Sequence, residues 1–166
     1  MSAPNPTPAP AASIPVASSL LASPPPMAVY LGKKMSEICG HSISSKIGEN
    51  QCAHFVSHVM GYEFEFTCKN HTLADKQIAG KGAAIRVNEI FKACPEVGYW
   101  IKRPTGLSSL LIFVTISSNI GHDCIRLEMG THRLKHVGIF IDGKVWHHGK
   151  TQVESDTESG FITKFN

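Results

Sequence analysis

The sequence predicts an α+β domain in which helices come first and an antiparallel sheet follows. Three observations predict it. Apolar residues recur at helical spacing over 52–60 and 84–93, β-type runs take over after Pro104, and Asp142-Gly143 separates HVGIFI from KVWHH as a hairpin turn would. With 166 residues and 42% hydrophobic content, the chain has material for one domain with a substantial core and too little for two.

The N-terminal stretch MSAPNPTPAPAASIPVASSLLASPPP is broken by prolines and lacks the basic start of a secretory signal. Residues 1–29 therefore read as a disordered, extended Pro/Ala/Ser segment ahead of a domain at 30–166. Asn50 suits the cap of a first helix whose apolar positions are Cys52, Phe55, Val56, Val59 and Met60, with Gly61 ending it. A second helix is predicted over Leu73 to Ile78, and a third over Ala84 to Ala93 before Pro95.

Leu107 to Ser117 reads as a buried strand, followed by a hairpin of His136 to Ile141 and Lys144 to His148. A last pair, Thr151 to Val153 and Phe161 to Phe165, brackets ESDTESG as a polar turn. The best membrane candidate, LLIFVTI, is far too short to span a bilayer, so no membrane span is predicted. A net charge of +3 with scattered Lys and Arg indicates no nucleic-acid partner.

Five cysteines, Cys39, Cys52, Cys68, Cys94 and Cys124, form no CxxC pair, which argues against a zinc ribbon or a thioredoxin-type motif. Four of them can form two disulfides after export, leaving Cys52 free. Cys52 opens a helix, where unpaired N–H groups and the positive dipole end favour thiolate over thiol and offer donors to an oxyanion. A partly exposed nucleophile of lowered pKa is the corresponding expectation.

A nucleophile needs a base. His54 and His58 lie ~200° and ~240° around the helix from Cys52, so neither faces it. Their i,i+4 spacing suits a metal, but no third ligand stands beside them in sequence, and they read as a polar, solvent-facing edge. No metal site and no cofactor are predicted. His122, with Asp123 and Cys124, likewise reads as polar surface.

The hairpin supplies better candidates. A two-residue turn pairs Ile141 with Lys144, so His136, Gly138, Phe140, Val145 and His147 share one face, with His147 diagonal to His136. His136 then suits the base and His147 its orienting partner. A three-residue loop flips the parity and makes His148 the partner.

These stretches resemble a known group. NQCAHFVSHV is similar to the nucleophile helix, and HVGIFIDGKVWHH to the base-bearing hairpin, of the NlpC-like papain-type cysteine peptidases and amidases and their CHAP-domain relatives. The order, Cys before His, agrees. The sequence departs from the common Asp-Cys-Ser-Gly pattern with Gln51-Cys52-Ala53-His54, and residues 62–106 match nothing in the family pattern. The resemblance implies a papain-like fold with Cys52 as nucleophile, His136 as general base and acid, and His147 as third polar residue. It also implies an oxyanion hole at the Cys52 backbone N–H, with Gln51 as a further candidate donor.

The implied activity is hydrolysis of an amide bond in bacterial peptidoglycan peptides. A small lone amidase of this type resembles an antibacterial effector of a contractile, type VI-like secretion machine, or a phage lysis enzyme. Such an effector is made in the cytoplasm without a classical signal peptide, acts in the periplasm or wall of a target bacterium, and has a cognate immunity protein. Two other readings stay open: a thiol acyltransferase or lipid hydrolase on the same fold, and a non-catalytic binding or toxin module in which Cys52 is a core residue.

Overall fold

The computed structural model describes residues 12–16, 24–46, 49–71 and 82–165. Short 3₁₀ turns lead into α1 (Cys52–Met60), and α2 (Val87–Ala93) follows. The strands β2 (Ser109–Thr115), β5 (Lys135–Ile141), β6 (Lys144–His148) and β7 (Val153–Thr157) then form an antiparallel sheet, joined at its far edge by β1 (Ala12–Val16). The sheet order is β1-β2-β5-β6-β7, and a separate ribbon pairs β3 (Ile120–His122) with β4 (Leu127–Met129). The α+β class is the one the sequence predicts.

β2 shows why the sheet has two working faces. Its run SLLIFVT is buried at every position. Leu111 and Phe113 join Val137, Ile139, Phe55 and Val56 on the α1 side, while Leu110, Ile112 and Val114 join Val145 and Phe161 on the other. A strand covered on both faces needs no polar alternation, which is why it reads as a continuous apolar run.

The hairpin has the predicted register: Ile141 pairs with Lys144, Phe140 with Val145 and Ile139 with Trp146. Asp142 at φ 47° and Gly143 at φ 82° make the turn with both central residues in the left-handed region. Gly61, at φ 72°, ends α1 as predicted.

Several expectations change. Residues 12–16, taken from sequence as part of a disordered segment, form the edge strand β1, and Met27 is buried in the core. Pro15 is tolerated there because an edge strand needs only one ladder of hydrogen bonds. ESDTESG is no turn: its first half belongs to β7, and Glu158–Ile162 forms a helix, α3, capped by Thr157 Oγ1 accepting from the Gly160 amide. The predicted helix at 73–78 lies outside the described residues. None of the described helices is long and apolar enough to cross a membrane.

Gly138 sits where a side chain has no room. A Cβ there would meet the Val145 side chain at 2.5 Å and the Phe161 ring at 3.2 Å. Gly138→Ala is expected to lower stability by about 1–3 kcal/mol through overpacking. Equilibrium urea unfolding checks this, and a variant as stable as the parent would contradict it.

Candidate active site

The start of α1 is fastened to the start of β5. Asn50 Oδ1 accepts the Cys52 backbone N–H at 3.2 Å, and Asn50 Nδ2 donates to the Lys135 carbonyl at 3.0 Å. The backbone amides of Val137, Ala53 and Cys52 itself act to lower the Cys52 pKa. Pairing of β5 with β6 begins only at Ile139, so beside Val137 the edge of β5 is open. Cys52 thus lies with Val137 in the core on the α1 side of the sheet, and its sulfur makes no hydrogen bond with the His136 imidazole.

Side chains alternate along β5, so His136 points to the face opposite Val137. There it meets His147 as the register requires: His136 Nε2 lies 3.0 Å from His147 Nδ1, and His147 Nε2 lies 3.0 Å from Asp156 Oδ2. Phe161 packs against both imidazoles, at 5.3 Å and 5.1 Å between ring centroids, and the bare Gly138 leaves it space. Asp156 also accepts from Lys164 Nζ at 2.9 Å.

The chain of bonds assigns the protons. Asp156 is ionised, because bonds from Lys164 and His147 hold it below the usual carboxylate range although burial pushes the other way. A carboxylate only accepts, so His147 donates from Nε2 and its Nδ1 carries a lone pair. His136 then donates from Nε2. Its Nδ1, on the side of the ring nearer its own backbone, carries the remaining lone pair and suits a base.

Asp156 was missed from sequence because ESDTESG looked like a turn. Its signal is strand parity: Val145 pairs with Asp156, and His147 with Glu154, so the acidic positions of β7 share the His147 face. His148, the alternative partner, instead donates from Nδ1 to the Gly149 carbonyl at 2.9 Å. The two-residue turn settles that parity.

Burial dominates the electrostatics. Cys52 is 0% exposed, and desolvation pushes its thiol up to about 12 despite the amide donors around it. The expected exposed, low-pKa thiolate is therefore absent from this state. The predicted oxyanion donors are also engaged: the Cys52 amide bonds Asn50, and Gln51 Nε2 donates to the Ile43 carbonyl at 2.9 Å. His54 is 1% exposed, which corrects its reading as a solvent-facing edge. All five cysteines are free thiols, one of the two states the sequence leaves open. Tyr62 and Trp100 are core residues.

Two clefts border the approach to Cys52. One, of about 310 Å³, is lined by Asn50, Arg86, Arg133 and Lys135 among others, and the second, of about 330 Å³, includes Gln51, Lys46 and His148. Glu49 belongs to both. In each, three Lys or Arg side chains outnumber the single carboxylate of Glu49.

Burial lowers His136 well below its ordinary 6.5, with the neighbouring His147 acting the same way, and burial also lowers His147 and His148. They stay neutral in the fold while the unfolded chain takes up protons as pH falls through about 6.5. Stability is then level above that pH and declines below it. The urea midpoint is expected to fall between about pH 7.5 and 5.5, with a shallower fall in His136→Gln. A wild-type midpoint that does not move over this window would contradict the buried neutral histidines. No known family, characterised protein or solved structure matches this chain.

Proposed function

We propose that the protein is a cysteine hydrolase that cleaves amide bonds, with bacterial peptidoglycan peptides as the substrate class. One observation carries the reading: the hydrogen-bonded chain Asp156–His147–His136 ends on β5, the strand whose start Asn50 fastens to the Cys52 amide. The resemblance of NQCAHFVSHV and HVGIFIDGKVWHH to NlpC-like, papain-type enzymes supports the same roles. The Lys and Arg side chains that line the two clefts suit a peptide that carries carboxylates.

The reaction requires the His136 ring, which in this state lies on the sheet face away from Cys52, to come within reach of the sulfur; its Nδ1 then takes the Cys52 proton, and the thiolate attacks the carbonyl to form a tetrahedral adduct. The Cys52 amide leaves Asn50 to hold the oxyanion, His136 returns the proton to the departing amine, and water releases the acyl group. His147 and Asp156 keep His136 in the required tautomer and stabilise its charged form. Because the resting sulfur is buried, substrate entry must uncover it.

That burial favours a second reading, in which Cys52 is a core residue of a non-catalytic module. The readings part on peptidoglycan. Under the first, the wild type releases muropeptides resolved by mass spectrometry, Cys52→Ala releases none, and His136→Gln loses about 10²–10⁴-fold in rate. Asp156→Asn keeps the fold and lowers kcat more than KM. An unchanged muropeptide profile from folded wild type would sink the cell-wall assignment.

Labelling provides a further check. Iodoacetamide is expected to modify the exposed Cys124 well before Cys52, while an electrophile carried on a muropeptide-like peptide labels Cys52 in wild type and not in His136→Gln. Equal labelling of the two variants by that electrophile would point to the inert reading. The secreted-effector setting and an immunity protein that plugs the cleft belong to the same proposal.

A further inference from the structure

The far side of α1 holds a second cluster that the hydrolase reading does not use. Cys39, His54, His58 and Cys68 each direct a ligand atom to one spot, with all four atoms within 4.8 Å of one another. A tetrahedral zinc with two sulfurs and two nitrogens has ligand-to-ligand edges of ~3.3–3.8 Å, so a small contraction closes the set. Two thiolates also balance the charge of a divalent ion.

The surroundings are those of a metal site. His54 Nε2 and His58 Nε2 are both buried without a hydrogen-bond partner. Two buried ring nitrogens left bare on one spot are costly unless something binds them. His54 is held in the ligating tautomer: Gln51 donates its amide to Ile43, which turns Gln51 Oε1 toward His54 Nδ1 at 2.9 Å, so Nδ1 carries the proton and Nε2 the lone pair. Cys39 Sγ has a backbone donor in the His41 amide at 3.4 Å, and the backbone of Cys68 is fixed by its amide donating to the Ala83 carbonyl at 2.8 Å. A Cys39–Cys68 disulfide would use the sulfurs and leave both imidazoles bare.

We propose that Cys39, His54, His58 and Cys68 form a structural zinc site. Its ligands come from three segments: the turn before Ser42, two successive turns of α1, and the loop that pairs Thr67 with Ala84. Four protein ligands close the coordination sphere, so the ion supplies no Lewis acid to Cys52 and instead clamps α1 to the chain on either side of it. The inference goes beyond the hydrolase reading and stands without it.

The test is metal content and cobalt spectroscopy on the full chain. Wild type equilibrated with zinc and passed through a desalting column is expected to retain one ion per chain by plasma mass spectrometry. Cobalt is expected to give a thiolate charge-transfer band and tetrahedral d–d absorption. The Cys39→Ser, Cys68→Ser double variant is expected to lose the ion, whereas Cys94→Ser and Cys124→Ser keep it. Chelation is expected to lower the wild-type Tm, with recovery on adding zinc. Wild type that takes up no metal and shows no thiolate-to-cobalt band overturns the proposal, whatever the variants do. So does zinc retained by the double variant, or a Cys39–Cys68 disulfide in protein prepared under reductant.

Discussion

The contact between the first turn of α1 and the open edge of β5 is the constraint on which the rest of the site depends. Asn50 spans the gap with both ends of its amide, one on the Cys52 N–H and one on the Lys135 carbonyl. A helix start and a strand start are thus joined by one short side chain bonded to backbone at both ends. Val137 continues β5 on the Cys52 side of the sheet, and His136, one residue before it, faces the other side.

Sheet parity then divides the labour. Odd positions of β5 bury apolar side chains against α1, and even positions carry His136 toward His147, Asp156 and Phe161. The imidazoles are aligned by strand pairing on one side and by an aromatic ring from α3 on the other. This arrangement is dry, and dryness acts in both directions. It strengthens each hydrogen bond between Asp156, His147 and His136, and it holds Cys52 as a thiol and His136 as a neutral ring.

α1 works on two sides. One end presents the thiol to β5, and the opposite side presents two imidazoles to Cys39 and Cys68. Nine residues make a short helix, too short to hold its place by propensity alone. Anchors on both sides, the Asn50 bridge and the proposed zinc clamp, account for how so small an element keeps Cys52 in register. Gln51 belongs to the second of these: its amide orients His54, which is why it is not free for an oxyanion.

The sequence by itself determined the elements whose cause is local. Gly61 ends α1 and Asp142-Gly143 turns the hairpin because each needs a left-handed backbone that few residues adopt. The turn in turn sets parity, so the pairing of His136 with His147 was legible from spacing alone. What only the tertiary structure decided has a distant cause. Asp156 becomes the end of the relay because β7 pairs with β6, and polar ESDTESG hides that pairing. Cys39 and Cys68 stand 29 residues apart and meet only because the chain folds around α1, so His54 and His58 looked like a surface edge. The state of Cys52 is of the same kind: a helix start favours thiolate locally, and burial by the packed sheet outweighs it.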